Sequence, residues 1–269
     1  MAAPRRDTRG IVDAPGLLAR VRFRRHTPAE PLRPYLEHYW LIDWDLTEPY
    51  VSHVVPHPSV NIVFQRFEGR EPFGEVAGIG LGLFTHELRG RGRVCGVQFR
   101  PGGFRPFAPG RAVSGWTGRR VPLAEAYPGT DPDVDAVLGP DGERDRVAAL
   151  DAFLLRHGPR PDPQAALAMA LADRIRRDRT IRRVGDFARS EGMSVRSVQR
   201  LFAEYVGVGP KWVILRYRVH DALERAESSS GTDWAALAAD LGYADQAHLV
   251  RDFTATVGVP PTAYAQSVR

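Results

Sequence analysis

The chain has 269 residues, 43% hydrophobic and 26% charged, with a formal net charge of +5. That length holds two modest domains with real cores, and the mild positive balance is compatible with an ordinary solvated surface as well as with nucleic acid. A single cysteine, Cys95, excludes an intramolecular disulfide framework. No apolar run approaches the ~18 residues of a membrane span, and Met1 to Gly10 lack the apolar segment of a secretory signal. These features predict a cytoplasmic protein with no membrane partner, opening on a mobile arm over residues 1–19. Lys211 is the only lysine. The positive charge is therefore almost all arginine, which suits phosphate and guanine contacts.

Residues 20–127 read as a β-rich domain. The expected strands are Val21–Arg24, Tyr39–Trp44, Val60–Phe67 and Arg93–Phe99, short runs rich in Val, Ile, Phe and Trp and broken by Gly and Pro. Gly78-Ile-Gly80-Leu-Gly82 prevents a long helix. Without β-α-β alternation, an antiparallel barrel or sandwich is the natural arrangement. Residues 128–163 read as a loop (Pro128–Gly142), a helix over 143–157 and a Pro-rich connector. Val147, Leu150, Phe153 and Leu154 share one side of that helix. An isolated amphipathic helix must bury its stripe somewhere, which makes this one a candidate coupling or dimer element.

Residues 164–269 read as helical throughout. Asp162 and Pro163 open a helix carrying Leu167, Leu171 and Ile175, with Arg174, Arg176 and Arg177 opposing the negative end of its dipole. Thr180 is expected to cap 181–189, Ser194 to cap 195–205, Thr232 to cap 233–240 and Asp245 to cap 246–256. Pro210 opens a long helix to about Glu227, closed by the polar run 228–232, and Pro261 opens a last turn near Tyr264.

Within this region one pattern is written twice. Ala188 and Gly192 recur 50 residues later as Ala238 and Gly242, whereas Phe202, Gly207 and Pro210 recur 51 later as Phe253, Gly258 and Pro261. The extra residue falls in the turn, where insertion is cheapest. Matching small residues, turn glycines, caps and inward-facing positions predict a tandem helix-turn-helix reader of double-stranded DNA. Arg196, Ser197, Gln199 and Arg200 face outward on the first recognition helix, and Gln246, Ala247, His248 and Arg251 on the second. Arg can donate twice to guanine, Gln can pair with adenine, and Ala can touch a thymine methyl. Because the helical part is only mildly basic, base contacts should carry much of the binding. The Pro210–Glu227 helix, about 27 Å at ~1.5 Å per residue, is long enough to join two readers entering grooves ~34 Å apart.

These residues carry a resemblance. Gly192-Met-Ser194, Arg200-Leu-Phe202, Gly207-Val-Gly-Pro210, Leu241 through Phe253 and Gly258-Val-Pro-Pro261 are similar to AraC/XylS-type transcriptional regulators. Over residues 164–269 the resemblance implies two helix-turn-helix units joined by a linker helix. It also implies base or phosphate contacts at Arg196, Gln199, Arg200, Ala247, His248 and Arg251. Ala247 departs from the polar residues common at its position. More loosely, Pro34 through Trp40, Val54 through Phe64 and Gly96 through Gly102 resemble the sensor segment of one branch, implying a cupin-like β domain.

The predicted protein is therefore a two-domain α+β chain. It is a sequence-specific DNA-binding regulator responsive to a small-molecule effector, with RNA polymerase as a partner if it activates and a homodimer as a candidate assembly. Trp40, Trp44, His57, Asn61, Gln98, Phe99 and Trp116 are the candidate effector-site residues, aromatic walls with a few polar anchors. His53, His57 and His86 are weighed as metal ligands, but Pro56 and Pro58 break a shared helix face and no His-x-His pattern with a following Glu is present. No metal, cofactor or catalytic residue is expected, since no phosphate loop, nucleophile elbow or acid–base pair stands out. The alternatives are a cupin-like metal enzyme fused to a DNA-binding domain, and a constitutive DNA binder whose β domain only dimerises.

Overall fold

The computed structural model describes residues 10–228 and 232–267. A short helix, α1 (Ala14–Leu18), precedes six strands: β1 (Arg22–His26), β2 (Leu36–Val54), β3 (Asn61–Phe67), β4 (Phe73–Ala77), β5 (Phe84–Phe99) and β6 (Arg120–Pro122). They form one sheet in the order β1-β2-β5-β3-β4-β6, each ladder antiparallel. β1 and β6 are its two edges, so the expected antiparallel β domain is an open sheet covered by helices rather than by a second sheet. Strand alternation explains why both faces need cover. Tyr39, Leu41, Ile62, Phe64, Cys95, Val97 and Phe99 go to one face, and Trp40, Ile42, Trp44, Val63 and Val94 to the other.

All four expected strands are present, but β2 and β5 run much further. From Asp45↔Arg91 to Val54↔Phe84 they pair as the arms of a long ribbon, with an irregularity between Leu46 and Tyr50. The polar stretch of β2 in this ribbon carries little strand signal of its own. The expected mobile arm is corrected over residues 10–19. There, α1 places Leu17 and Ala14 in a buried cluster, Ile11 bridges to Val54, and the Gly10 carbonyl accepts from the Val55 amide at 2.7 Å. Apolar burial holds that segment down; the rest of the arm lies outside the described residues.

Three helices follow the sheet: α2 (Leu123–Ala126), α3 (Asp131–Leu138) and α4 (Glu143–His157). α3 occupies the stretch expected to be a loop. Its Asp131 and Asp133 sit in the first turn, where acids favour the positive end of the helix dipole, and Val137 and Leu138 are fully buried. α4 buries Leu150, Phe153 and Leu154, with the Phe153 ring edge-on to Phe64 at 5.4 Å. Its stripe is therefore spent inside the chain, which corrects the expectation of a free coupling or dimer element. Arg146 of α4 is 1% exposed and forks onto Asp43 of β2 at 3.1 Å. Cys95 lies beside it, and burial pushes its thiol up to about 11, as expected of a packed, unreactive cysteine.

The remaining helices are α5 (Pro163–Arg177), α6 (Val184–Ser190), α7 (Val195–Leu201), α8 (Pro210–Ser228), α9 (Trp234–Asp240), α10 (Gln246–Val257) and α11 (Pro261–Ser267), with a π-helical turn at Phe202–Val206 after α7. Asp162 caps α5 by accepting from Gln164 and Ala165. Leu171 and Ile175 are buried with Ala168 and Ala172, but Leu167 is exposed, because the inward stripe is narrower than a spacing of four suggests. Two caps differ from expectation. Thr180 caps nothing: its amide and hydroxyl both bind Asp178, and α6 begins later without a side-chain cap. Asp233, not Thr232, caps α9. The run 229–231 lies outside the described residues.

Candidate DNA interface and ligand cavity

Both helix pairs turn by the same geometry. Gly192 and Gly242 have φ of 65° and 74°, a left-handed conformation that glycine adopts without a Cβ clash. The next amide then reaches back to the small residue of the first helix: Met193 to the Ala188 carbonyl and Tyr243 to the Ala238 carbonyl, both at 2.9 Å. This six-to-one bond closes the helix end. The insertion falls after it, as Ala244, so Ser194 and Asp245 both act as N-caps despite the changed spacing, accepting from Ser197 and His248. Phe187, Ala188, Val198 and Phe202 are buried in the first unit, and Leu237, Ala238, Leu249 and Phe253 in the second.

The faces left to solvent are those the sequence predicts. Arg196, Gln199 and Arg200 of α7 are exposed, as are Gln246, Ala247 and Arg251 of α10. Two residues are partly engaged. Ser197 is half-buried with its hydroxyl 2.9 Å from that of Ser194. His248 lies edge-on to Tyr243 and 3.8 Å from Asp252. Each helix thus presents two or more extended polar side chains beside a packed apolar face, the arrangement needed to enter a major groove.

A second feature lies on the other side of the sheet. A cavity of ≈ 330 Å³ sits between that face and helix α8. Trp40 and Trp44 of β2, Asn61 of β3 and Gln98 of β5 line it from the sheet, and Tyr217, His220 and Asp221 close it from α8. His57, in the loop before β3, stacks on His220 with ring centroids 4.1 Å apart. Five of the seven candidate effector residues are therefore brought together: Trp40, Trp44, His57, Asn61 and Gln98. Phe99 and Trp116 are not. Phe99 neighbours Gln98 and so points to the opposite face, where it meets Phe104 and Phe107. Trp116 packs edge-on to Phe104 in the same core. Sequence reasoning missed Tyr217, His220 and Asp221, which read only as a linker helix. Their place at the cavity follows from how α8 docks.

Among the described residues, no group of three or more His, Cys, Asp or Glu side chains is placed to hold a metal ion. His53 bonds Thr85, while His86 lies against Phe67 and Phe84. Burial and the nearby Arg120 hold His86 below its ordinary pKa. No described helix is long and apolar enough to cross a membrane.

Two recognition helices, each displayed by a glycine turn and joined through α8, define a DNA-binding protein of the helix-turn-helix class. Residues 187–267 match a family model described as a helix-turn-helix domain, and residues 24–122 match one described as a domain of unknown function (DUF6597). The C-terminal match is a helix-turn-helix domain of the AraC type. No curated protein matches the chain. Among solved structures, ToxT from Vibrio cholerae is similar at 10% identity and a TM-score of 0.43, over 85% of this chain and 97% of that one. A structure of wild-type ToxT from Vibrio cholerae strain SCE256 bound to an unsaturated fatty acid is similar at 12% identity and a TM-score of 0.41, over 84% and 94%. ToxT from Vibrio cholerae O395 bound to (E)-4-(8-methylnaphthalen-1-yl)but-3-enoic acid is similar at 11% identity and a TM-score of 0.40, over 92% and 99%.

Proposed function

We propose that this chain is a sequence-specific transcription regulator whose DNA binding responds to a small molecule held between the sheet and α8. It acts by binding rather than by catalysis. The observation that carries the reading is the cavity itself. One wall belongs to the β domain, and the other is the helix that joins the two DNA readers. A ligand there contacts both, so it can favour one placement of α8 over another. Coupling between two such sites is typically worth ~1–3 kcal/mol.

The DNA half of the reading is tested by selecting bound sites from random duplexes with the purified chain. An enriched asymmetric site is expected, because the two recognition helices present different side chains. Recovery of no enriched sequence by folded protein would sink it. The effector half is tested by thermal-shift screening of small molecules, followed by titration of the selected duplex with and without each hit. A ligand that raises the melting temperature but leaves DNA affinity unchanged refutes the coupling.

A further inference from the structure

We propose that the cavity takes an uncharged, planar aromatic molecule of about two fused rings, with an amide-like or lactam-like edge held by Gln98 and Asn61. This rests on the reading of the cavity as the effector site.

The floor sets the shape. The Trp40 indole lies across Gly96 and the Trp44 indole across Gly92; a Cβ at either glycine would overlap the ring above it. Two glycines on β5 therefore let two indoles lie close to the sheet, and Trp40 remains half-buried at the cavity. Phe23, Phe84 and Tyr217 add aromatic wall. Flat apolar faces of this kind reward a planar ring that can stack or meet them edge-on. The volume of ≈ 330 Å³ lies within the range of small-molecule sites.

The charges at the wall set the polarity. Arg176 is held by Glu37 at 3.0 Å and by Asp173. Arg120 is held by Glu75 at 2.9 Å. Asp221 is paired with Arg179 at 3.1 Å. Arg25 stands over the Phe23 ring at 5.3 Å. A ligand charge placed at Arg176, Arg120 or Asp221 would have to displace an ion-pair partner already in place, which is costly.

The carboxamides set the edge. Asn61 and Gln98 are register partners on β3 and β5. Asn61 is loosely held, accepting from the Trp40 indole N–H at 3.4 Å and donating to the Ser59 carbonyl at 3.5 Å. Gln98 is half-buried and makes no side-chain hydrogen bond among the described residues. A carboxamide offers a donor and an acceptor side by side, and a lactam is its complement.

The test titrates the full chain with quinolin-2-one, quinoline-2-carboxylate and decanamide, reading melting temperature and tryptophan fluorescence. Quinolin-2-one is expected to raise the melting temperature and quench fluorescence. The carboxylate and the alkyl amide should bind at least about tenfold more weakly, the equivalent of one lost hydrogen bond or more. Gln98→Leu should weaken quinolin-2-one about tenfold while leaving unsubstituted quinoline unaffected, a difference that misfolding would not produce. Trp40→Leu should weaken binding and leave only the part of the quench that arises from Trp44, and Trp40→Phe should restore most of the affinity. Equal or tighter binding of the carboxylate or of decanamide overturns the ligand class and leaves the cavity reading standing. Binding of none of the three by folded, DNA-competent protein overturns the ligand class, while the cavity reading falls only if the broad screen also finds no ligand that changes DNA affinity.

Discussion

The two helix-turn-helix units share a turn, a capped recognition helix and a core pattern, yet they are anchored differently. The first unit is fused to the sheet. Phe187, Val198, Leu201, Phe202 and Val206 belong to one continuous buried cluster with Phe64, Phe99, Phe104 and Trp116 of the β domain. The Thr117 hydroxyl donates to the Gly207 carbonyl at 2.8 Å, and Arg105 pairs with Glu204 at 2.9 Å across the same seam. The second unit has its own cluster, built from Val219, Leu223, Leu237, Leu249, Phe253 and Tyr264, in which Val55 is the buried residue contributed by the β domain. Much of its link to the rest runs through α8. Arg216 donates to the Leu81 carbonyl, His220 contacts the Pro56 carbonyl, and the His57–His220 stack lies at the cavity. Arg182, ahead of α6, adds a strut to the carbonyls that end α9. A repeat in sequence has thus become one fixed reader and one reader held by a helix that also walls the cavity. Effector binding is expected to act on the second.

The largest effect tests whether the units melt separately. Phe202→Ala and Phe253→Ala each empty a fully buried site, at a cost of about 3–5 kcal/mol. Phe202→Ala should lower the main thermal transition of the β domain and first unit together. Phe253→Ala should split off an early transition confined to the second unit, seen by calorimetry or hydrogen exchange over α9 and α10. A single shared transition in both variants would remove the distinction.

Next, Arg200→Ala and Arg251→Ala should each weaken the selected duplex by about 1–3 kcal/mol without lowering the melting temperature, if each reads a base. Effector should change the footprint over the Arg251 half-site more than over the Arg200 half-site. A symmetrical response would place the moving part elsewhere. Smaller again are the caps. Ser194→Ala and Asp245→Ala should each cost about 1 kcal/mol, the first in the main transition and the second in the early one.

The smallest effect concerns acid. His157 on α4 packs against Tyr127 and Phe153, and burial with Arg156 alongside lowers its pKa. The folded chain therefore prefers the neutral ring. That contribution is present above the ordinary histidine pKa of ~6.5 and is lost as pH falls below it. Lowering pH from about 7.5 to about 5.5 should cost the main transition slightly more in the parent than in His157→Phe.

The readers were legible in the sequence because a helix-turn-helix is specified locally. A glycine at positive φ, a cap three residues before its target amide and an apolar residue every turn are all written within about 20 residues. The cavity was half legible. Trp40, Asn61 and Gln98 could be picked as aromatic and polar residues of a β domain, but strand alternation sends neighbouring Gln98 and Phe99 to opposite faces, and only the register decides which is which. α3 was missed because its first-turn acids and Pro132 resemble loop chemistry, and they acquire helical meaning only once Val137 and Leu138 have a core to enter. The ribbon halves of β2 and β5 were missed because their pairing, not their composition, makes them strands.

By itself, the sequence determined the tandem repeat, the caps of α7 and α10, the exposed faces of those two helices and the antiparallel β character of the other domain, since each follows from spacing over a turn or a strand. Tertiary structure decided the asymmetry. Which unit shares the sheet's core, and that α8 brings Tyr217, His220 and Asp221 to the cavity, depend on contacts between residues well over 100 positions apart, such as His220 with Pro56. No local pattern encodes such a contact, because its energy appears only when two finished surfaces meet.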